Sequence, residues 1–252
     1  MELGNPIAKG NTANIYLVEN KVVKVFKEHL PENEALKEAW KQDFARSCGL
    51  PVPEIRDVKK IDGKQAIIME YVQGKTLGEL YFEGNREQAE EYMKISIDIQ
   101  QQIHSIKPVE FEPMSDKLQR QIQSAPRLDQ NQKGCLENLL NSMEYENSLC
   151  HGDFHLYNLI MADDKVTIID WVDSSAGDFR ADVYRTYLLY STVSTELAEE
   201  YLTLYCDESG LSRAEVFKWA PIIAGARLSE HVSNENEERL KEIVKSCLIS
   251  GI

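Results

Sequence analysis

The residues best suited to chemistry lie in one short stretch, Cys150 to Asn158, and in an aspartate that follows it. The stretch reads C-H-G-D-F-H-L-Y-N, and Asp170 comes twelve positions after Asn158, at the end of the apolar segment V-T-I-I. A carboxylate can accept the proton of an attacking hydroxyl, and Mg²⁺ prefers oxygen ligands while it retains several waters. The combination predicts phosphoryl transfer, with Asp153 as the base and Asn158 and Asp170 as the metal ligands.

The segments between the two metal-ligand candidates predict a β-hairpin. Leu159-Ile160-Met161 and Val166 to Ile169 flank an Asp163-Asp164 turn, and such a hairpin would place Asn158 and Asp170 at one end of the same strand pair. A lone H-x-D is common by chance, whereas the joint spacing is typical of a kinase catalytic loop followed by a metal-binding aspartate. We assign His151 to holding this loop.

The motif H-G-D-F-H-L-Y-N with I-I-D-W resembles the aminoglycoside phosphotransferase and choline kinase family, within the protein-kinase-like superfamily. Gly152 stands where protein kinases carry Arg, and the second histidine, His155, also fits the small-molecule branch. Trp171-Val172 replaces the Phe-Gly of protein kinases and no Ala-Pro-Glu follows, which disfavours a protein-kinase activation segment. The resemblance covers about residues 5 to 185. Beyond it, a pocket could be lined by Tyr201, Tyr205, Trp219, Glu230 and His231, although aromatic residues at helical spacing more often belong to the core.

The resemblance implies an α+β, bilobal protein-kinase-like fold. Residues 1–72 would form the N-terminal nucleotide-binding lobe, a small antiparallel β-sheet with one main helix, ending in a hinge. Residues 73–252 would form a larger, mostly helical catalytic and substrate-binding lobe. The residue pattern agrees, since it predicts a hairpin of Ile15–Val18 with Val22–Phe26, a strand over Ala66–Val72 and helices from Glu87 onward.

In the family, the second strand of the N-terminal hairpin carries a lysine that contacts the α- and β-phosphates. Strand alternation puts Lys24 on one face with Val22 and Phe26, and a lysine among apolar neighbours needs a partner. We therefore choose Lys24, with Lys27 on the opposite face as the alternative.

The lysine's usual partner in the family is a helix glutamate, and Glu38 matches that position. It lies in a helix predicted over Pro31 to Cys48, with Leu36, Trp40 and Phe44 stacked at a spacing of four. Glu38 shares a face with Glu34, away from this stripe, so periodicity leaves a solvated charge as the alternative.

Three further sets of residues follow from the resemblance. Gly10, Asn11 and Thr12 look like a degenerate loop whose backbone N–H groups cover the phosphates. Glu70 and Val72 resemble the hinge, where main-chain groups pair with the adenine edge. Gly177 to Asp182 is similar to the family's G-D-x-x-x-D, in which the last aspartate braces the catalytic loop. A helix N-cap is the alternative for Asp182.

Composition narrows the classes of partner. The chain has 252 residues with a net charge of −14, which disfavours nucleic acid or an anionic membrane as a partner. The first 72 residues hold 11 acidic and 11 basic residues, so the whole acidic excess lies after them. Five cysteines without a C-x-x-C pair argue against a disulfide framework or a zinc ribbon. The first residues show no signal-peptide features, and we expect a cytoplasmic protein.

The leading hypothesis is a phosphotransferase dependent on ATP (or GTP) and Mg²⁺. Its acceptor would be a hydroxyl of a small molecule, and the acidic second lobe favours an amine-bearing one such as an aminoglycoside or an amino alcohol, with a sugar nearly as well supported. No obligate protein partner is implied. The alternatives are a nucleotide-binding pseudokinase, and a metal-dependent hydrolase in which a strand aims His151, Asp153 and His155 at one ion.

Overall fold

The computed structural model describes residues 2–10, 12–230, 232 and 235–249. The chain divides into two compact units. Unit 1 comprises residues 1–89 and 156–172, and unit 2 comprises residues 90–155 and 173–252. The chain therefore leaves unit 2 directly after His155 and returns to it at Asp173, so the hairpin predicted between Asn158 and Asp170 belongs to unit 1.

Unit 1 contains a five-stranded antiparallel sheet. Its strands are β1 (Ala8–Lys9), β2 (Ala13–Val18), β3 (Lys21–Phe26), β4 (Ile55–Ile61) and β5 (Lys64–Glu70), in the order β1-β2-β3-β5-β4. The two tight turns form where the sequence places residues that tolerate positive φ, at Asn20 (60°) and Gly63 (81°). Strand β4 was not predicted from the sequence, because its charged residues obscure the strand pattern.

The main helix of unit 1 is α1 (Glu34–Ser47). Its buried face is not the face formed by Leu36, Trp40 and Phe44, which the apolar spacing had indicated. Ala35 and Ala39 pack with Phe26 of β3 and with β5. Leu36 and Trp40 remain 61% and 46% exposed. Small side chains let the helix approach the sheet closely, whereas the stripe of large residues lies on the outer face.

A second, three-stranded sheet of unit 1 carries the predicted hairpin. Its strands are β6 (Lys75–Thr76), β8 (Leu159–Ala162) and β9 (Lys165–Ile168), in the order β6-β8-β9. Helix α2 (Leu77–Glu83) follows β6 directly in the chain. Asp163 and Asp164 adopt φ of 49° and 59° and form the two-residue turn. A Cβ on Gly74 would lie 2.2 Å from the Met161 carbonyl oxygen, so β6 can approach β8 only because this position is glycine.

Unit 2 is mostly helical. Two short strands, β7 (Ser148–Cys150) and β10 (Ser175–Gly177), pair antiparallel. The helices are α3 (Arg86–Ser105, which starts in the last residues of the first segment of unit 1), α4 (Met114–Ser124), α5 (Gln130–Asn141), α6 (Phe179–Val193), α7 (Thr195–Ser209), α8 (Arg213–Phe217), α9 (Ala220–Arg227) and α10 (Glu237–Ile249). Among the residues described, no helix is both long and apolar enough to cross a membrane.

Unit 2 also contains one disulfide bond, which joins Cys135 of α5 to Cys247 of α10. The cysteine count argued against a disulfide framework and did not anticipate this single bond. The two residues lie 112 positions apart, and only the packing of α10 against α5 brings them together. Cys48, Cys150 and Cys206 are free thiols.

Candidate active site

The candidate cluster of unit 1 is centred on Lys24. The Lys24 Nζ lies 2.6 Å from Glu38 Oε1 and 2.8 Å from Asp170 Oδ1. Lys24 projects from β3, Glu38 from α1, and Asp170 follows β9, so three elements distant in sequence supply the three charges. Lys27, the alternative lysine, makes no ion pair with any residue that the structure describes.

Because this cluster is largely buried, the charge of each group strongly affects the pKa of the others. Glu38 is only 1% exposed, whereas the Asp170 side chain is 39% exposed. Burial disfavours the charged ammonium of Lys24, but Glu38 and Asp170 outweigh it and raise the pKa of Lys24 above its ordinary value. Burial raises the pKa of Glu38, and the Lys24 charge opposes that rise. Lys24 therefore stays protonated at neutral pH and fixes the position of Asp170.

Asn158 and Asp170 lie at the same end of hairpin β8–β9. Asn158 ends a 3-10 turn (Leu156–Asn158) directly before β8, and its carbonyl accepts a hydrogen bond of 3.0 Å from the Ile169 N–H. Asp170 is the next residue, with φ of 63°. Its Oδ2 makes no hydrogen bond with another described residue. An amide and an exposed carboxylate with a spare oxygen fit the oxygen-donor chemistry of Mg²⁺.

The predicted nucleotide loop and hinge also belong to unit 1. Gly10 and Thr12 lie in the loop between β1 and β2, where Gly10 N–H donates to the Ala13 carbonyl and the Thr12 carbonyl accepts from Lys27 N–H. Asn11 lies outside the described residues. The N–H of Glu70 donates to the Glu54 carbonyl, which leaves this amide unavailable to a ligand.

Val72, the other predicted hinge residue, lies two positions beyond the end of β5. Its main-chain groups make no hydrogen bond within the described part of the chain. The predicted strand over Ala66–Val72 is thus shorter at this end, because β5 stops at Glu70. The segment after Glu70 retains main-chain donors and acceptors that a ligand could use.

The candidate cluster of unit 2 lies in the loop after β7. The Asp153 N–H donates to His151 Nδ1 over 3.3 Å, and Asp153 Oδ2 lies 3.7 Å from His155 Nε2. Burial alone would raise the pKa of Asp153, but the hydrogen bond and charge of His155, with the charges of Arg185 and His151, hold it well below its ordinary value. Asp153 is therefore ionised at neutral pH.

Asp182 holds this loop from α6. Its two carboxylate oxygens accept the N–H groups of Gly152 (2.7 Å) and His151 (3.2 Å). The ring of His104 lies 2.9 Å from the same carboxylate. The N-cap of α6 is Asp178, whose side chain accepts from Arg180 N–H, so the alternative of a cap role for Asp182 is wrong.

Gly152 is required at its position by both conformation and space. Its φ is 81°, and a Cβ there would lie 2.4 Å from the Asp173 carbonyl oxygen. The glycine lets the loop pass close to the chain that leaves Asp173. Arg185 of α6 donates from Nε to the Gly152 carbonyl over 3.2 Å, which adds a second contact between α6 and the loop.

Sequence reasoning missed several residues around Asp153. Arg185 contacts the loop at Gly152, and His104 contacts Asp182, which holds the loop. Lys117 and Asp173 form an ion pair of 2.7 Å beside the loop. The position of Arg185, three residues after Asp182 on one helix, was a usable signal. Nothing in the sequence linked His104 or Lys117 to positions far along the chain. Glu230, one of several pocket candidates, pairs with Arg185 over 2.8 Å.

The other pocket candidates in the C-terminal helices lie elsewhere. Tyr201, Tyr205 and Trp219 are buried in the core of unit 2, and His231 lies outside the described residues. Their aromatic side chains pack against other rings, which is the usual role of such residues.

The strand required by the metal-hydrolase alternative is absent at this position. β7 ends at Cys150, and residues 151–155 form a loop. His151 is fully buried and its Nδ1 accepts the Asp153 N–H. Strand alternation therefore cannot aim His151, Asp153 and His155 at one ion.

Comparisons with known proteins bear on the fold and on the family. Similar solved structures include a thermostable variant of the aminoglycoside phosphotransferase APH(4)-Ia with AMP-PNP and hygromycin B, at 14% identity and a TM-score of 0.69, covering 98% of this chain and 93% of that one. A choline/ethanolamine kinase family protein from Mesorhizobium loti has 14% identity and a TM-score of 0.63, with coverages of 98% and 88%.

A third structure, ADP-bound aminoglycoside phosphotransferase APH(2'')-Ib, has 19% identity and a TM-score of 0.61, covering 96% of this chain and 90% of that one. At such identities the likeness shows the fold, and the predicted α+β protein-kinase-like fold is confirmed. No protein of curated function matches the sequence. The model of the phosphotransferase enzyme family matches residues 4–217. The chain therefore belongs to the phosphotransferase enzyme family, whose members include small-molecule kinases.

Proposed function

We propose that this protein transfers the γ-phosphoryl group of ATP to a hydroxyl of a small molecule, in a reaction that depends on Mg²⁺. The observation that carries the proposal is the contact of Lys24 Nζ with both Glu38 and Asp170, over 2.6 and 2.8 Å. A buried ammonium held beside an exposed carboxylate suits a triphosphate and its metal ion. The family relatives bound to AMP-PNP or ADP support a nucleotide substrate.

The residues of unit 1 would bind the nucleotide. Lys24 donates to the phosphate oxygens, and Glu38 holds the lysine in place from α1. Asn158 and Asp170 would hold Mg²⁺, which when bound offsets the charge of the phosphates. The loop at Gly10 to Thr12 would cover the phosphates, and the main chain at Glu70 and Val72 would meet the base. The N–H of Glu70 already donates to the Glu54 carbonyl, so it would not take part in this contact.

The residues of unit 2 would activate the acceptor. Asp153 accepts the proton of the acceptor hydroxyl as the acceptor oxygen bonds to the γ-phosphorus. The bond between that phosphorus and the bridging β–γ oxygen breaks, and ADP leaves with the electron pair. His151 and Asp182 hold the loop so that Asp153 keeps its orientation. The low pKa of Asp153 means that the carboxylate is available at neutral pH.

The decisive variant is Asp153→Asn, which keeps the size of the side chain and removes the base. We expect phosphotransfer, followed as ADP release with a panel of alcohols, to fall by about 10²- to 10⁴-fold. Nucleotide affinity should change by less than about twofold, because Asp153 is not among the proposed nucleotide ligands.

The matched control is Asp164→Asn, the same chemical change at the exposed turn of hairpin β8–β9. Asparagine tolerates the positive φ of that position, so the control should retain full turnover. Undiminished transfer in Asp153→Asn would remove the proposed mechanism. Nucleotide binding without transfer to any alcohol in the unaltered protein would favour the pseudokinase alternative.

A further inference from the structure

Four side chains of unit 2 form a charge row, in which positive and negative groups alternate. Arg185 Nη2 lies 2.8 Å from Glu230 Oε2. Glu230 Oε2 also contacts Arg227, and Arg227 Nε lies 2.9 Å from Glu235 Oε2. Arg185 belongs to α6 and Arg227 to α9, and the two glutamates lie in the segment that joins α9 to α10. The charge row therefore connects α6 with this segment.

The charge row is largely buried, so its members cannot rearrange independently. Both arginine side chains are 9% exposed, and the Glu235 side chain is 4% exposed. Surface ion pairs contribute little to stability because solvent screens them, whereas a buried charge that loses its partner is strongly destabilising. Each charge in the row is therefore held in place by its neighbours.

Arg185 ends the charge row at the loop that carries Asp153. Its Nε donates to the Gly152 carbonyl over 3.2 Å, while its Nη2 donates to Glu230. The guanidinium is planar and rigid, so the position of Glu230 fixes the direction in which the Nε–H points. A lysine ammonium has three donors on a flexible stem and could not couple the two contacts in this way.

The peptide unit that joins Gly152 to Asp153 is held at both ends. Arg185 donates to its carbonyl, and His151 Nδ1 accepts its N–H over 3.3 Å. Because a peptide unit is planar, fixing both groups also fixes the Cα of Asp153. Asp182, on the same helix as Arg185, accepts the preceding N–H, that of Gly152, over 2.7 Å. Through Arg185, α6 therefore holds the peptide unit that carries the Asp153 N–H.

Arg185 also acts on two carboxylates through its charge. Burial raises the pKa of both Asp153 and Asp173, but cations outweigh burial and hold both pKa values below the ordinary one. The main opposing group at Asp153 is His155, and at Asp173 it is Lys117. Arg185 contributes at both positions, and the charge of Asp153 raises the pKa of Asp173. Arg185 therefore stabilises two carboxylates that repel each other, one of which is the proposed base.

We propose that Arg185 is a positioning residue for Asp153, and that Glu230 sets the orientation of Arg185. Arg227 holds Glu230 in turn, and Glu235 holds Arg227. This inference rests on the proposed function, in which Asp153 accepts the proton of the acceptor hydroxyl. The match to the family model ends at residue 217, so the residues that orient Arg185 lie beyond it. The segment that joins α9 to α10 thus contributes to the geometry of the proposed base.

The first test compares two Arg185 variants of the full-length protein, with ATP, Mg²⁺ and the best acceptor from a panel of alcohols. Arg185→Lys keeps the charge but loses the rigid link between Glu230 and Gly152, so kcat should fall by about fivefold or more. Arg185→Met also loses the charge, and kcat should fall by about 10²-fold. KM for ATP should change by less than about twofold in both, because Arg185 is not among the proposed nucleotide ligands. Full kcat in Arg185→Lys would overturn the inference.

The second test asks whether Glu230 acts through Arg185. Glu230→Gln keeps the size of the side chain and one acceptor oxygen but removes the charge, and kcat should fall by about threefold or more. If Glu230 works by orienting Arg185, the double variant of Arg185→Lys with Glu230→Gln should have the kcat of Arg185→Lys within about twofold. Two effects that multiply would show that Glu230 acts independently, which would overturn the inference.

The control is a second arginine–glutamate pair of unit 2, whose side chains are exposed. Arg213 of α8 binds Glu199 of α7 through two contacts of 2.7 Å. Arg213→Lys and Glu199→Gln make the same chemical changes outside the charge row, and both should keep kcat within about twofold of the unaltered protein. A fall in the controls equal to that in Arg185→Lys would overturn the inference, because kcat would then respond to any lost ion pair.

Hydrogen exchange separates this inference from the proposed function, because it does not require turnover. Amide exchange in residues 151–155 should be about threefold or more faster in Arg185→Lys and Glu230→Gln, and unchanged in Arg213→Lys. Faster exchange together with an unaltered protein that transfers phosphate to no alcohol would support the hold of Arg185 on the loop and overturn the proposed function. Transfer by the unaltered protein with native kcat in both variants would overturn the inference, whether or not exchange is faster, and leave the proposed function intact.

Discussion

The two charged clusters of this protein differ in how their charges balance. In unit 1, a single ammonium, Lys24, faces two carboxylates, and Asp170 keeps a spare oxygen. In unit 2, beside the loop that carries Asp153, Asp173 and Glu230 are each paired with at least one cation. A cluster with excess negative charge attracts another cation, whereas a balanced one presents fixed hydrogen-bonding groups. The net charge of the chain therefore predicts the character of neither cluster.

The largest effect is expected from Lys24→Met, which tests the role of the unit 1 cluster. Removing the only cation of the unit 1 cluster leaves Glu38 buried without compensation, which costs about 3–5 kcal/mol of stability. It also removes the proposed phosphate contact, so kcat/KM for ATP should fall by about 10²-fold or more. The measurements are chemical denaturation and steady-state kinetics.

Lys27→Met is the control, because Lys27 lies just beyond the same strand and lacks an ion pair with the described residues. If Lys24→Met and Lys27→Met have equal activity, the proposed role of the unit 1 cluster is wrong.

A second, smaller effect is expected from Asp182→Asn, which loosens the loop of unit 2. The amide loses the charge that faces His104 and places an N–H₂ group where the loop N–H groups need an acceptor. We expect kcat to fall by about 10- to 100-fold with KM for ATP nearly unchanged, because Asp182 acts by positioning Asp153.

Asp207→Asn on the exposed surface of α7 serves as the control for Asp182→Asn. If Asp182→Asn lowers the midpoint of chemical denaturation but leaves kcat unaltered, Asp182 has a structural role and does not position Asp153. The split between kcat and KM is what distinguishes a positioning role from a general loss of folded protein.

The smallest effect concerns pH. The folded-state pKa of Asp153 is depressed, so the base is already ionised well below neutrality. We expect kcat to vary by less than about threefold between pH 5 and 8. The depressed pKa values of Asp153 and Asp182 contribute stability that is present above the ordinary aspartate pKa and is lost as pH falls below about 4.

A pH–rate profile and denaturation curves measured down to pH 3 check both statements. If kcat falls on acidification with a midpoint above pH 5, and if the fall persists in His155→Gln, Asp153 is not the ionised base that we propose. Stability that increases on acidification below pH 4 would contradict the sign of the two aspartate shifts.

Local patterns in the sequence determined much of this protein. The turns at Asn20, Gly63 and Asp163-Asp164 and the hairpin β8–β9 follow from residue types at short spacing. The α+β fold was implied by the family resemblance of the catalytic-loop motif. Hydrophobic periodicity also located α1, whose bounds of Glu34–Ser47 lie within the predicted range. Such features depend on neighbours a few positions away, so the sequence alone contains the necessary information.

Only the tertiary structure decided which side chains are buried and which are paired. The stripe of Leu36 and Trp40 favoured the wrong face of α1, because the sheet accepts small residues and a buried Glu38 that is paired with Lys24. The disulfide of Cys135 with Cys247 and the ion pairs of Lys117 with Asp173 and of Arg185 with Glu230 join residues that are far apart in the chain. Contacts of this kind depend on how the helices pack, and no local spacing encodes that packing.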